Sequence, residues 1–497
     1  MDVQHIACSS DKQNLVDPLI KHLNESGPLR FEAHYYPDED VIRYVVGRDF
    51  GLLCPRSDLS LRTLEEQWEE HRGAIEGSIF ARQAVFGVTP IVFFMSPRTA
   101  KRLKVFEEPF GWNSVVRLVR DRQVRIRHAA LRASDGVAVA IAQHLSFQSN
   151  AKGQETQVEE IKLLERVVDE YGPDDDSVLQ RATVEGDWTT DIVIAQEKSI
   201  ITAAQRAPTN KGVIVYPHDG TLAIGNSVAS MAGWQSPQLD EGFERFTKPL
   251  LGLNRETLAR NALLHKDANA LTSRDALEEF ASAVGPNVGQ TLRWAAHSGV
   301  STLVLPGRRA IRGIKSLAST TKRAVDVCLL FDSSSSMKQS GKFPEAKAAI
   351  DEFIRLLQGP GSRACLIRFQ TQATILTPLR PPVSPFYQPG SLDPAGDTAL
   401  YDAVALSLET LETTGDPSHI WAIVAFTDGR ENASSVGVAA LEQRLKQNST
   451  LRFYGVAYGS DADVSGLSRL AGVSGGMVLR GDPTTIRSLY ERLSTYV

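Results

Sequence analysis

The sequence has few cysteines, no long apolar run and no marked excess of either charge. Its four cysteines form no CxxC pair, which argues against a structural zinc site. No apolar run approaches the ~18 residues that a membrane-spanning helix needs. The formal net charge of -5 gives no electrostatic reason to expect nucleic acid as a partner. With these classes disfavoured, we expect a globular protein with ordinary hydrophobic cores.

The cysteines each lie in or beside an apolar, strand-like run, which predicts buried, reduced thiols. Cys8 and Cys54 each lie at the end of such a run, so a disulfide bridge between them is the alternative. The other two cysteines are Cys328 and Cys365.

The first residues, 1–8, read as a strand, without the basic and apolar regions of a secretion signal. We therefore expect a cytoplasmic location for the sequence as written, or an extracytoplasmic one if a leader was removed. The length of 497 residues suggests about three structural units, at one per ~150 residues.

Residues 1–320 alternate between short apolar runs and segments of helical spacing. Val3 to Ala7 predicts a strand, and Ser9-Ser10-Asp11 is typical of a helix N-cap. The apolar run 88–95 predicts a strand interrupted by Pro90, and Trp112 is expected in a loop. From about 238 to 320 the pattern is helical.

This part of the chain resembles the type II periplasmic solute-binding fold, in which the chain crosses twice between two α/β lobes. The resemblance depends on five stretches, and it implies lobe one at 1–88 and 217–300, lobe two at 89–216 and a basic linker helix at 301–323. The stretches are the opening strand into Ser9-Ser10, the crossing strand 89–92, the capped helix at 134–136, the run 195–197 and the strand 213–217.

A cleft between such lobes would suit a small anionic ligand if helix N-termini faced it. We predict that Ser9, Ser10, Ser134 and Tyr216 line it. The alternative is that these residues are ordinary caps and buried polar groups.

Residues 308–323 carry six cations and no acidic residue: Arg308, Arg309, Arg312, Lys315, Lys322 and Arg323. The simpler interpretation is a linker helix between two modules. The alternative is a surface for an acidic partner or a lipid headgroup.

From Ala324 onward, strands and helices alternate regularly, which predicts a doubly wound, Rossmann-like sheet of parallel strands. The apolar run 325–331 leads directly into Asp332-Ser333-Ser334-Ser335-Ser336. A last helix is expected at 485–496.

Three loops of this domain are predicted to present oxygen ligands at the carboxyl ends of strands, where open α/β sheets bind their ligands. Mg²⁺ prefers hard oxygens in octahedral array and keeps some water, so a few protein ligands suffice. The candidate metal ligands are Asp332, Ser334, Ser336, Thr398 and Asp428.

This pattern resembles the metal-ion-dependent adhesion site of von Willebrand factor A domains: D-x-S-x-S, a distant Thr, and an Asp in a T-D-G turn. The resemblance implies Mg²⁺ (or Mn²⁺/Ca²⁺), held directly by Ser334, Ser336 and Thr398 and directly or through water by Asp332 and Asp428. Ser335 stands where the family often has Gly, so we expect a small backbone strain there.

Neither of two candidate catalytic residues, Ser474 and Glu197, has the sequence context that catalysis needs. Gly472-Val473-Ser474-Gly475-Gly476 matches G-x-S-x-G, but a helix precedes it and a strand follows, which is typical of a helix C-cap. Glu197 beside the predicted cleft has no accompanying nucleophile. The ten histidines show no HExxH spacing, and no Walker A or GxGxxG sequence is present.

We therefore expect a non-enzymatic, Mg-dependent protein-interaction module whose open metal position binds a partner's Glu or Asp. Related A domains act in cell-surface adhesion or with AAA+ ATPases in bacterial cells, so either class of partner is implied. The alternative is a solute receptor in which the two-lobed module binds a small molecule and the A domain relays its occupancy.

Overall fold

The computed structural model shows strands and helices alternating along most of the chain. It describes residues 3–36, 50–72, 77–121, 123–131, 134–150, 154–184, 187–207, 211–234, 236–264, 274–297, 302–338, 342–357, 360–388, 390–448, 451–458, 462, 464–482 and 493–494. The last predicted helix, 485–496, lies almost entirely outside these residues.

The strands follow the apolar runs of the sequence and vary widely in length. They are β1 (Val3–Ser9), β2 (Arg30–Tyr36), β3 (Leu52–Cys54), β4 (Phe80–Met95), β5 (Ile126–Ala129), β6 (Val168–Gly172), β7 (Thr183–Val184), β8 (Asp187–Trp188), β9 (Ile192–Gln196), β10 (Gly212–Val215), β11 (Thr221–Met231), β12 (Leu292–Ala295), β13 (Thr302–Leu303), β14 (Val325–Asp332), β15 (Arg363–Phe369), β16 (Ala373–Arg380), β17 (Ile420–Thr427), β18 (Leu451–Tyr458) and β19 (Met477–Gly481).

The helices connect these strands, with short 3₁₀ turns at Ser10–Lys12, Ala232–Trp234 and Ser335–Lys338. They are α1 (Gln13–Glu25), α2 (Asp58–Arg72), α3 (Pro97–Arg102), α4 (Trp112–Arg120), α5 (Ser134–Asn150), α6 (Gln154–Glu165), α7 (Asp175–Ala182), α8 (Glu197–Arg206), α9 (Pro237–Leu251), α10 (Arg255–Arg260), α11 (Arg274–Val284), α12 (Pro286–Thr291), α13 (Arg308–Thr321), α14 (Lys342–Leu356), α15 (Leu400–Thr414), α16 (Val438–Gln447) and α17 (Val464–Ser474). No helix in the described part of the chain is both long and apolar enough to cross a bilayer.

The chain divides into two compact units that are not contiguous in sequence. The first unit comprises Met1–Ile161 and Asp174–Ser316, and the second comprises Lys162–Pro173 and Leu317–Val497. The division therefore falls within α13, whereas the sequence placed it at 323/324.

The first unit is built around two long strands, β4 and β11, which pair antiparallel. Other strands extend the sheet in the order β2-β1-β3-β11-β4-β9-β5, with β10 joined to β4 and β12. The predicted interruption at Pro90 is wrong, because β4 runs through it for 16 residues and Pro90 lies opposite Ala223.

Two apolar clusters flank these long strands. One gathers Ile6, Phe86 and Val228. The other gathers Val193 and Ile214 with α11 and α12. Strand β12 also pairs with β10. Residues 274–297 therefore pack with the strands assigned to lobe two, although the predicted lobe one ran to residue 300.

Trp112 begins helix α4 and does not lie in a loop, which corrects the sequence prediction. The Asp219 carboxylate accepts hydrogen bonds from the backbone amides of Trp112 and Asn113, each at 2.9 Å. A carboxylate stabilises a helix N-terminus because the first amides lack partners within the helix. Asp219 is 107 residues away, so no local pattern could indicate this cap.

The second unit has a six-stranded sheet in the order β16-β15-β14-β17-β18-β19. Strands β15, β14, β17, β18 and β19 are parallel, and β16 adds an antiparallel edge. This confirms the predicted doubly wound sheet. Residues 162–173 also belong to this unit, and buried Asp169 pairs with Arg452 at 3.2 Å.

All four cysteines are buried, free thiols, as predicted. Cys8 lies opposite Cys54 on adjacent strands, and Cys328 lies opposite Cys365. The alternative of a Cys8–Cys54 disulfide is therefore not realised in this structure.

Candidate metal site

Asp332 ends β14, the central strand of the second sheet, and both of its carboxylate oxygens are hydrogen-bonded. Oδ1 accepts the backbone N–H of Ser334 at 2.8 Å, and Oδ2 accepts the hydroxyl of Thr427 at 2.6 Å. Because β14 and β17 are parallel neighbours, their carboxyl ends meet at one edge of the sheet. The fold therefore brings the D-x-S-x-S and T-D-G segments together.

Hydroxyl and carboxylate groups from these two segments are in direct contact. The Oγ atoms of Ser334 and Ser336 are 2.8 Å apart, and Ser336 donates to Oδ1 of Asp428 at 2.6 Å. Asp428 is 1% exposed. Two carboxylates and two hydroxyls thus converge on one small region.

Thr398 belongs to the same site, although it comes from a separate loop. A β-carbon built on Gly429 would lie 3.1 Å from Thr398 Oγ1 and 3.6 Å from Ser336 Oγ. Asn432 fixes the Thr398 backbone from both sides, accepting its N–H and donating to its carbonyl. The structure therefore brings together all five residues that the sequence predicted as metal ligands.

The loop that carries Thr398 is tied to the serine loop by backbone hydrogen bonds. Ser335 N–H donates to the Gly396 carbonyl at 3.0 Å, and Ala395 N–H donates to the Ser333 carbonyl at 2.7 Å. Gly396 has φ +72°, a left-handed conformation that favours glycine. Ser335 does not have a positive φ, so the backbone strain expected there is not present in that form.

The site concentrates negative charge away from water. Burial raises the pKa of Asp332 to about 6, and the charge of Asp428 acts in the same direction, while hydrogen bonds from Thr427 and Ser334 oppose both. Two buried carboxylates at close range are costly unless a cation compensates them.

Lys342, the first residue of α14, supplies one such cation. Its ammonium lies 2.6 Å from Oδ2 of Asp428. The sequence analysis missed this residue, because the residues 339–341 before it resemble an ordinary loop before a helix. The donor set fits a hard divalent cation, since every candidate ligand atom is an oxygen.

The four residues predicted to line a cleft in the first unit have different environments. Ser9 is buried and precedes a 3₁₀ turn without a side-chain capping bond, and Ser10 is exposed. Ser134 begins α5 and is partly buried. Tyr216 is fully buried and donates to Glu197 at 2.6 Å.

A cluster of charged side chains lies in the same unit as these four residues, and the sequence analysis did not predict it. We call it the buried charge cluster and define it as Lys12, Arg56, Lys198, Asp11 and Asp135. Lys198 pairs with Asp11, and Arg56 pairs with Asp135 at 3.1 Å. Lys12 is 1% exposed and donates to the Arg56 carbonyl at 2.9 Å. These cations come from separate stretches of chain, so no spacing in the sequence could reveal the cluster.

The two rejected catalytic residues are both engaged inside the protein. Ser474 is buried at the end of α17, where its hydroxyl donates to Leu470 and accepts from the N–H of Phe453 at 2.9 Å. Gly475 follows with φ +67°, which confirms the predicted helix C-cap. Glu197 accepts hydrogen bonds from Tyr216 and Trp294.

Three cations of the basic segment contact helix α2 within the first unit. Arg308 and Arg312 pair with Glu69 at 2.9 and 2.8 Å, and Lys315 pairs with Glu66 at 2.6 Å. These contacts make the segment up to Ser316 part of the first unit, and its role as a linker helix stays a prediction.

Comparison with known proteins agrees with this description of the second unit. Residues 327–431 match the family model of the von Willebrand factor type A domain. A search of curated proteins found no match. A solved structure of von Willebrand factor type A from Catenulispora acidiphila is 21% identical, with a TM-score of 0.31 over 35% of this chain. This chain covers 42% of that protein's length.

Two solved structures resemble the N-terminal part. The periplasmic binding protein AfuA from Actinobacillus pleuropneumoniae, with fructose-6-phosphate bound, is 12% identical and has a TM-score of 0.39, covering 55% of this chain and 88% of its own. The sulfate-binding protein SubI from Mycobacterium tuberculosis H37Rv is 14% identical with a TM-score of 0.40, covering 61% and 94%. Residues 327–431 are thus assigned to the von Willebrand factor type A domain by the family model, and the N-terminal part is similar in fold to periplasmic solute-binding proteins.

Proposed function

We propose that this protein is a non-enzymatic, Mg²⁺-dependent interaction protein. Its A domain would bind the Glu or Asp carboxylate of a protein partner through a metal held by Asp332, Ser334, Ser336, Thr398 and Asp428. The observation that carries the proposal is the convergence of these oxygen ligands from three loops.

Protein oxygens would fill only part of an octahedral shell, so a position would remain for water or an outside carboxylate. A bound dication would offset the repulsion between the buried Asp332 and Asp428 carboxylates. An AAA+ ATPase and a cell-surface protein are the two partner classes that the resemblance to A domains suggests. The same metal site would serve either one.

The first experiment is calorimetric titration of the full chain with Mg²⁺. We expect one bound ion for the wild type and at least about tenfold weaker binding for Asp332→Ala. Asp393→Ala is the matched control, because Asp393 is an exposed carboxylate on the loop before Thr398. Equal affinity in the wild type and Asp332→Ala would refute the site.

The open position is tested with Mn²⁺ in place of Mg²⁺. A carboxylate that enters the coordination shell displaces water and lowers the water-proton relaxation rate that Mn²⁺ causes. N-acetylglutamate amide should lower the rate, and N-acetylglutamine amide should not. The same effect from both compounds would reject carboxylate recognition.

A second candidate function is the binding of a small anion in the first unit. It is favoured by the buried charge cluster, where Lys12 donates to Asn226 Oδ1 while the buried Nδ2 of Asn226 has no hydrogen-bond partner among the described residues. Burial lowers the pKa of Lys198 to about 7, against the opposing charge of Asp11. A nearby anion would favour the protonated ammonium.

This candidate is tested by the thermal stability of the full chain in sulfate and in chloride at equal ionic strength. Anion binding predicts a sulfate-specific rise in the melting temperature that Lys198→Met abolishes. Lys211→Met is the control, because Lys211 is exposed. A rise of equal size in Lys198→Met would reject the candidate.

A further inference from the structure

Two histidines and a glutamate meet on one face of the edge of the first unit's sheet. His5 lies on β1 directly opposite Glu32 on the parallel strand β2. His34 is two residues beyond Glu32, so alternation along the strand places both side chains on the same face. The three residues therefore form one cluster, although 29 residues separate His5 from His34.

The candidate ligand atoms of this cluster have the spacing of a metal site. His5 Nδ1 is 3.0 Å from His34 Nε2 and 3.6 Å from Glu32 Oε2, and His34 Nε2 is 3.9 Å from Glu32 Oε1. Ligands about 2.0–2.1 Å from a tetrahedral Zn²⁺ are separated from one another by roughly 3.3 Å. The observed distances bracket this value, so small side-chain movements would complete the geometry.

The two imidazoles present nitrogen atoms to each other at hydrogen-bonding distance without stacking. Their ring centroids are 5.2 Å apart and their planes are tilted by 47°. Without a metal, one ring must donate a proton to the other, and the carboxylate beside them competes for that proton. A divalent ion would let both rings and the carboxylate act as electron-pair donors at once.

The surroundings of the cluster hold it in place and leave one side accessible. The ring of His34 packs edge-on against buried Phe50, with centroids 5.3 Å apart. The side chains of His5 and Glu32 are 44% and 58% exposed. A metal ion can therefore enter from solvent and keep a coordination position for water or an outside ligand.

We propose that His5, Glu32 and His34 form a second metal site, specific for a divalent transition ion of the Zn²⁺ class. Two imidazole nitrogens and one carboxylate oxygen form a borderline donor set, which suits Zn²⁺, whereas Mg²⁺ requires oxygen. The two sites of the chain thus differ in the chemistry of their ligands. This inference does not depend on the proposed function of the A domain.

The experiment is calorimetric titration of the full chain, purified without a polyhistidine tag, with Zn²⁺ in saturating Mg²⁺. The variants are His34→Ala and Glu32→Gln. The control is His22→Ala, because His22 is an exposed histidine at the end of α1, outside the cluster. Asp332→Ala shows whether any Zn²⁺ binds at the A domain.

We expect one Zn²⁺ per chain in the wild type, His22→Ala and Asp332→Ala, and at least about tenfold weaker binding in His34→Ala. Co²⁺ should give the intense visible absorption of a tetrahedral site in the wild type and lose it in His34→Ala. Circular dichroism verifies that each variant is folded. Equal Zn²⁺ affinity in the wild type and His34→Ala, or no binding by the wild type, would overturn the proposal.

Discussion

The ammonium of Lys342 lies 2.6 Å from Oδ2 of Asp428, one of the two carboxylates in the proposed Mg²⁺ site. The lysine therefore neutralises the same group that a metal ion would contact. Because a bound dication and an ammonium repel each other at such range, Lys342 is expected to oppose metal binding.

Replacing this lysine should strengthen Mg²⁺ binding. We expect Lys342→Met to raise the Mg²⁺ affinity by roughly tenfold at low ionic strength, and less at high salt. Calorimetric titration measures the change. Lys338→Met is the control, because Lys338 is exposed on the adjacent 3₁₀ turn. Unchanged or weaker binding by Lys342→Met would show that the lysine does not compete with the metal.

A methyl group at Gly429 should disturb the metal site and leave the fold intact. Its β-carbon would lie 3.1 Å from Thr398 Oγ1, closer than ordinary van der Waals contact. We expect Gly429→Ala to weaken Mg²⁺ binding about tenfold, because the added carbon would displace the Thr398 hydroxyl, a proposed metal ligand. In Gly437→Ala, the control, the added carbon has no described atom within 4 Å. Equal Mg²⁺ affinity in both variants would contradict the assigned position of Thr398.

Glu197 should make the stability of the first unit depend on pH. Burial raises the pKa of Glu197 to about 7, while hydrogen bonds from Tyr216 and Trp294 oppose this effect. The folded state therefore holds this proton more tightly than the unfolded state, whose pKa is near the ordinary 4.5. The associated stability is fully present below pH 4.5 and is lost as the pH rises to about 7.

We expect Glu197→Gln to remove this loss, which amounts to at most about 3 kcal/mol. The amide oxygen can still accept both hydrogen bonds. The free energy of unfolding of the wild type and of Glu197→Gln is measured in urea between pH 4.5 and 8, with tryptophan fluorescence as the signal. An identical pH dependence in both would rule out Glu197 as the titrating group.

Asp326 should contribute strongly to the stability of the second unit. It is fully buried and accepts from Arg363 Nε at 2.8 Å, His419 Nδ1 at 3.0 Å and the backbone of Asp416 at 2.7 Å. We expect Asp326→Ala to lower the free energy of unfolding by about 2 kcal/mol, because it leaves the partly buried donors of Arg363 and His419 without their acceptor. Mg²⁺ affinity should not change, because Asp326 lies at the opposite end of β14 from Asp332.

Hydrogen exchange of the β14 amides measures this effect within the second unit alone. Asp393→Ala serves again as an exposed control. Exchange rates equal to those of the wild type would show that the network does not stabilise the sheet.

The convergence of the candidate metal ligands could be predicted from the sequence because these residues follow apolar strands in a fixed order. Asp332 comes directly after a continuous apolar run and Asp428 comes one residue after another, and parallel pairing brings those ends to one edge. The strand bounds are also set by local sequence, since β14 spans Val325–Asp332 and the apolar run noted in the sequence spans 325–331.

The features that the sequence did not reveal depend on contacts between distant segments. Folding brings Lys342 to Asp428 and Lys198 to Asp11. It also places His5 beside His34. Hydrophobic periodicity reports which face of an element is buried, but it does not report which polar side chains meet there. The cap of α4 by Asp219 has the same origin.

The assignment of residues 162–173 to the second unit has a practical consequence for dividing this protein. A single cut near residue 320 would leave β6 on the N-terminal fragment and separate Asp169 from Arg452. The C-terminal fragment would then lose the carboxylate partner of a guanidinium that is buried in the intact chain, and β6 would lose its contacts with the rest of the second unit. A fragment that keeps the second unit whole must therefore combine residues 162–173 with residues 317–497, by circular permutation or by coexpression of the two pieces.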